Sequence, residues 1–190
     1  MKNISLILLL VILLTNCSDC DSGIDCCNPE MSKLEISSYL ENWVPYYSPD
    51  TIILTSQNSD QLLYSVDNLV IKDTSYFQGD ECPNRPAQYR AGKLISQNDT
   101  LYFASDGANS FIVEIDRIKF IIADYPNGKH VNPYNQNTTT HRSESEIIVN
   151  NEFQDVIIAQ SDSGDVRKAY FSYGIGLVGI ERNDTIYGMN

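Results

Sequence analysis

From Asp50 onward the chain alternates apolar and polar residues in short runs, each closed by residues that favour turns. Ile52 and Leu54 share one parity, and Leu62, Tyr64 and Val66 carry the same alternation on toward Ile71. Segments 89–96 and 100–104 flank the turn Gln97-Asn98-Asp99, and Asp106-Gly107 supplies another turn. Phe111, Val113 and Ile115 lie on one face, whereas Ile118, Phe120 and Ile122 follow on the opposite parity. A bulge or bend near Asp116-Arg117 is expected to restore the face. A hairpin is predicted from 146–149 and 153–160 around Asn150-Asn151. Ser161-Asp162-Ser163-Gly164-Asp165 then turns into 166–173, and the last two strands flank Asn183-Asp184.

Helical periodicity appears once in this part of the chain. Ile36, Tyr39, Leu40 and Trp43 fall on one helical face behind Ser32-x-x-Glu35, a capping-box spacing, and Pro45 ends the run. A short helix over residues 33–43 is therefore expected. Nine or ten short strands without crossover helices predict an all-β, antiparallel fold and exclude a parallel α/β one. The glycines of Gly174-Ile175-Gly176-Leu177-Val178-Gly179 permit tight bends or close approach. They favour a curved meander closing into a partly open β-barrel over a flat sandwich.

The chain begins differently. One lysine precedes residues 4–14, which are apolar apart from Ser5. That stretch is shorter than the roughly 18–20 residues a spanning helix requires, so it reads as the core of a signal peptide. It runs into Leu14-Thr15-Asn16-Cys17, which resembles a bacterial lipobox with Leu14 at −3 and Cys17 as the acylated residue. Acyl chains there, at about 0.8 kcal/mol per buried methylene, hold a domain on a membrane. Ser18-Asp19-Cys20-Asp21 places acidic residues directly behind the lipid, resembling the surface-export signal of Bacteroidota lipoproteins. The expected organisation is a signal peptide at 1–16, a lipidated cysteine and tether at 17–31, and one β-rich domain at 32–190.

Further residues are similar to small Bacteroidota outer-membrane lipoproteins: Ser37-Ser38-Tyr39, Val44-Pro45-Tyr46, Asp50-Thr51-Ile52-Ile53, and the late run from Tyr170 to Gly179. In these an aromatic-rich strand followed by G-[IV]-G-L-V closes an antiparallel domain. The resemblance implies an outer-membrane location, at the cell surface in preference to the periplasmic face, and it brings no catalytic residues.

Charge and cysteine usage narrow the partners. A formal net charge of −12 without basic runs is a poor match for nucleic acid. It leaves the lipid, not charge, to hold the membrane. Of five cysteines, Cys17 is assigned to lipid, leaving Cys20, Cys26, Cys27 and Cys82 for disulfides outside the cytoplasm. Neighbouring Cys26 and Cys27 are strained partners, so Cys82 is expected to pair with one of them and Cys20 with the other. A zinc site is the sharper alternative, but no histidine pair stands at zinc-finger spacing behind Cys17-x-x-Cys20.

The two histidines, His130 and His141, share the polar segment 124–143, read here as one long loop and as a candidate partner contact. Without a third ligand at fixed spacing they read as loop histidines, and no metal or cofactor is expected. No nucleophile elbow, zinc-protease helix or phosphate loop is present. Glu114/Asp116 and Glu144/Glu146 share a strand face at period two, the raw material of a glycosidase pair, but in an acidic β protein they read as a solvated face. Asp162-Ser163-Gly164-Asp165 lacks the spacing of a calcium loop and reads as a turn. Asp-Thr-apolar recurs at Asp50-Thr51-Ile52, Asp99-Thr100-Leu101 and Asp184-Thr185-Ile186, making Thr51, Thr100 and Thr185 candidates for O-glycosylation as well as good strand starts.

The sequence thus predicts a non-catalytic surface binding or structural module that meets a protein or glycan partner. A lipocalin-like carrier with an apolar cavity is the alternative, and a carbohydrate-active or other enzyme the third reading.

Overall fold

The computed structural model describes residues 35–47, 50–78, 82–97, 99–105, 109–125 and 128–190. The signal peptide, Cys17, Cys20, Cys26 and Cys27 lie outside them. Twelve strands form one antiparallel sheet: β1 (Thr51–Ser56), β2 (Gln61–Gln78), β3 (Cys82–Ile95), β4 (Thr100–Ser105), β5 (Ser110–Ile115) and β6 (Ile118–Tyr125). They are followed by β7 (Gly128–Pro133), β8 (Thr138–Ile148), β9 (Asn151–Ser161), β10 (Val166–Ser172), β11 (Gly176–Arg182) and β12 (Thr185–Met189). A single helical turn, α1 (Ser38–Glu41), precedes them.

The strand order is β7-β6-β5-β4-β3-β2-β1-β12-β11-β10-β9-β8, so sequence neighbours pair everywhere except at β7 and β8, and the first strand pairs with the last. Leu54 pairs with Met189 and Ser56 with Tyr187, sealing the place where a meander of this kind would ordinarily stay open. The sheet curls into a nearly closed barrel whose one unsealed seam lies between β7 and β8. Threonines of β8 reach across: Thr140 Oγ1 donates to the Val131 carbonyl of β7 at 3.5 Å, and Thr138 Oγ1 accepts the Lys119 N–H of β6, past the end of β7, at 3.0 Å.

Inward positions follow the predicted parity. Ile52, Leu54, Tyr64, Leu94, Leu101, Phe103, Phe111, Val113, Phe120, Ile157, Phe171 and Leu177 fill one core. A second, smaller cluster lies where the β8–β9 hairpin end packs on the outside of the sheet, with Ile148, Phe153, Val156, Ile158, Tyr170 and Val178. Gly179 makes this possible, since a Cβ there would stand 2.7 Å from Ile148 Cγ2.

Several sequence expectations change. Within the described residues the helix expected over 33–43 is one turn, Ser38–Glu41, capped by Ser37, which accepts the Leu40 N–H at 3.4 Å; Ser32 lies outside them. Burial of Ile36, Tyr39, Leu40 and Trp43 against the barrel, not helix length, explains their spacing. The bulge or bend expected at Asp116-Arg117 is a two-residue turn: Ile115 pairs with Ile118, Asp116 takes a φ of 51°, and the face is restored. The parity change is what a two-residue turn produces. Segment 124–143 is no loop but most of β7 and β8, polar because much of each strand faces solvent. The β8–β9 turn is Val149-Asn150, one residue earlier than expected. Strand β3 starts at Cys82, well before Tyr89, and runs antiparallel to β2 from Gln78↔Cys82 to Ser65↔Ile95.

Candidate binding site at the plugged mouth of the barrel

Antiparallel strands place their turns at two ends. One end carries Asp60, Asp99, Asp116, Asp162, Asp165 and Asp184 in or beside its turns. At the other, segment 36–47 enters the barrel and stops it like a plug. Ile36, Tyr39, Leu40, Trp43, Val44 and Tyr46 are all buried there, Trp43 completely. Their rings meet wall residues, with Tyr46 5.5 Å from Phe103 and Trp43 5.4 Å from Tyr173 between ring centroids.

Polar contacts tie the plug to the wall at chosen points. The Leu177 N–H donates to the Tyr46 phenol oxygen at 2.5 Å, and the Gly174 N–H to the Asn42 carbonyl at 2.7 Å. Asn42 Nδ2 donates to the Tyr173 hydroxyl at 3.1 Å, and the Ile36 N–H to Gln88 Oε1 at 3.3 Å. Gly176, at φ +88°, lies so close that a Cβ would sit 2.5 Å from the Tyr46 oxygen. Only glycine accepts both the left-handed backbone and that approach. Burial pushes the phenol of Tyr46 far above its ordinary pKa, so it stays a neutral hydroxyl.

Three cations converge on the plug in a chain that has only 13 Lys and Arg against 25 Asp and Glu. Lys129 Nζ lies 4.2 Å from the Tyr39 ring centroid, and the guanidinium of Arg142 5.6 Å from that of Trp43. Arg90 stands 5.0 Å from Tyr47 and 5.9 Å from Phe103. Such stacking contributes roughly 0.5–2 kcal/mol each, more where water is excluded. Arg142 is held by Asp155, which accepts from Nε at 2.5 Å and Nη2 at 2.7 Å, and this bond raises the Arg142 pKa. An open hollow of about 460 Å³ lies beside the pair, lined by Arg142, Ser143, Glu144, Gln154 and Asp155.

Arg90 is the anomaly. It points inward from β3, is 2% exposed, and among the described residues makes one side-chain hydrogen bond, from Nη2 to the Tyr46 carbonyl at 2.5 Å. Its Nε and Nη1 are buried without a hydrogen-bond partner. Burial pulls its pKa below the usual guanidinium value. Tyr39 Oη and Trp43 Nε1 are buried beside each other, near enough for the indole N–H to lower the phenol's pKa, though burial raises it more.

The residues singled out in the sequence are not brought together here. His130 and His141 lie on β7 and β8, the two strands that flank the seam, both exposed. Among the described residues no three His, Cys, Asp or Glu are grouped to hold a metal ion. Glu114 and Asp116 do not share a strand face: Glu114 pairs with Lys119 at 3.1 Å, while Asp116, in the turn, accepts the Val166 N–H at 3.0 Å. Glu144 is exposed and Glu146 half-buried on β8. Thr51, Thr100 and Thr185 are each the first residue of a strand, β1, β4 and β12. Cys82 opens β3 opposite Gln78. Sequence reasoning missed Arg90; a lone arginine in an alternating strand, on the parity of Leu94, was the available signal.

No family model, curated protein or solved structure matches the chain.

Proposed function

We propose that the chain is a lipid-anchored outer-membrane protein, carried on Cys17 and facing the cell surface, whose β domain is a non-catalytic binding or structural module. The observation that carries the reading is the filled barrel: wall and plug side chains from Trp43 to Phe171 occupy the interior, so that with the plug in place the exterior and the two ends are the working surfaces. The buried apolar residues fill the inside, while ion pairs such as Lys93–Asp67, Lys119–Glu114 and Lys168–Glu181 stud an outside on which Ile53, Leu63, Ile71 and Tyr102 are also exposed. That is the reverse of a barrel embedded in lipid. Among the described residues no helix is long and apolar enough to cross a membrane. On this reading the lipid on Cys17 supplies the attachment. The plug is the first described segment after the tether, so the plugged mouth is the end the tether reaches first.

On this reading Cys20, Cys26, Cys27 and Cys82 oxidise after export, and a glycan on Thr51, Thr100 or Thr185 sits at the first residue of a strand, beside a turn. The experiment is metabolic labelling with an alkyne-bearing fatty acid followed by intact-mass measurement. Label is expected on the wild-type chain and lost in Cys17→Ala, with residues 1–16 absent from the wild type. An unlabelled chain that retains those residues overturns the proposal.

A further inference from the structure

Arg90 keeps a positive charge inside the barrel with one hydrogen-bond acceptor, and that acceptor belongs to the plug. Buried charges are normally paired, because taking an ion out of water costs several kcal/mol that only close partners restore. Among the described residues no carboxylate bonds to the guanidinium; the Tyr46 carbonyl, a neutral dipole, takes one N–H, and two nitrogens go unmet. Glu41 is near enough to act on Arg90 through its charge but makes no bond to it. The barrel wall offers the Ser105 hydroxyl only to the backbone of Arg90, whose N–H donates to it at 2.8 Å. The guanidinium is thus held in place by its backbone and flanking rings, with its donor edge under-used. A planar fork of N–H donors in apolar surroundings matches a carboxylate, which accepts two parallel hydrogen bonds.

What lies beside it is apolar and comes from a separate piece of chain. Leu40, Trp43, Val44 and Tyr46 belong to the same core as Leu101, Phe103 and Phe111, with the Tyr46 ring against Phe103, yet none belongs to a strand of the barrel. Arg142 and Lys129 add positive charge around the same segment. We infer that the barrel binds a long-chain carboxylate, with its head on the Arg90 guanidinium and its alkyl chain in the space of Leu40, Trp43 and Tyr46. Segment 36–47 is the competing occupant that the ligand displaces. The filled interior is then the ligand-free state of a binding site, and the apparent affinity is the intrinsic one reduced by the fraction of molecules with the plug out.

The chain contains one tryptophan, Trp43, and it sits in the plug, so its fluorescence reports displacement directly. The full chain is titrated with dodecanoate below its micelle-forming concentration, with dodecanol and acetate as the chain-only and head-only probes. Expected is a saturable red shift of Trp43 emission with dodecanoate and none with dodecanol or acetate. Arg90→Gln should weaken the dodecanoate midpoint at least tenfold. Tyr46→Phe, which removes the acceptor of the Leu177 N–H and loosens the plug, should tighten it about tenfold. An equal response to dodecanol, an unchanged midpoint in Arg90→Gln, or no shift at all overturns the inference. Should Arg90→Gln fail to fold by circular dichroism, Tyr46→Phe decides: binding no tighter than wild type rejects a displaceable plug. None of these readouts depends on the lipid at Cys17.

Discussion

The phenol oxygen of Tyr46 takes the backbone N–H of Leu177 at 2.5 Å, joining the plug to β11 across 131 residues of sequence. Leu177 is fully buried, so its N–H has no water to fall back on when the phenol is removed. Tyr46→Phe keeps the ring against Phe103 and deletes only the acceptor. Its expected cost is about 1–3 kcal/mol, the range for orphaning a buried donor. A drop in the urea midpoint with an unchanged slope would show it. A neutral result would mean that the Leu177 N–H is satisfied elsewhere.

At the opposite end of the barrel, Asp99 accepts from Arg182 Nη1 at 2.8 Å and from the Tyr64 hydroxyl at 3.2 Å, its side chain 5% exposed. Burial raises its pKa by more than Arg182 lowers it, so the folded chain holds that proton to higher pH than the unfolded chain. The unfolded value is about 3.9. Below it both states carry the proton and the stabilisation is complete. As pH rises through the folded value the proton leaves and the stabilisation goes with it. Asn at this position does not titrate. The stability difference between wild type and Asp99→Asn is therefore expected to shift against the wild type as pH rises from about 3 upward through that window. Urea melts of both proteins at several pH values test this. A difference moving in the wild type's favour with pH would mean that Arg182 outweighs burial.

Much of the barrel was legible because period-two alternation survives wherever one face is buried, as in Phe111–Val113–Ile115 and Phe120–Ile122. Strands β7 and β8 were illegible for the same reason. Flanking the unsealed seam, they leave much of both strands to solvent, so Thr139, His141, Arg142 and Glu144 carry no apolar face to mark a strand. The two histidines looked like loop residues on that account. The plug misled differently: Ile36, Tyr39, Leu40 and Trp43 have helical spacing, but one turn and a bend suffice to bury all four. Gly176 and Gly179 were readable as sites of close approach, though not what approaches them. Arg90 stayed hidden because a charged residue on an inward parity looks like an error in the pattern until its neighbours are known.

Asp155 sits inside β9 with a φ of 51°, in the left-handed region, while its carboxylate holds Arg142 and its carbonyl accepts the Tyr173 N–H at 3.1 Å. Two effects separate by substitution. Asp155→Gly loses the ion pair, worth at most about 1 kcal/mol at this exposure, but suits the backbone. Asp155→Ala loses the pair and adds roughly 1–2 kcal/mol of left-handed strain. Alanine is therefore expected to melt several degrees below glycine. Equal melting temperatures would show that the backbone relaxes to a negative φ at no cost.

The β8–β9 hairpin end rests on β11 and β12 only because Gly179 and Gly188 leave room for it. A Cβ on Gly179 would lie 2.7 Å from Ile148 Cγ2 and 2.9 Å from the Tyr187 carbonyl oxygen, and one on Gly188 would lie 3.0 Å from Ile148 Cγ2. The backbone oxygen cannot swing aside as a side chain does, so Gly179→Ala must lift the hairpin end or part β11 from β12. Overpacking of this kind costs about 1–3 kcal/mol. The damage should be local: Ile148, Phe153, Val156 and Ile158 form the outer cluster, apart from the barrel core with Trp43. Hydrogen exchange in Gly179→Ala is expected to quicken across residues 147–158 while the emission of Trp43 stays at its wild-type wavelength. A shift of Trp43 emission in this variant would mean that the outer cluster and the plugged interior unfold together, joined through the β9 and β10 strands they share.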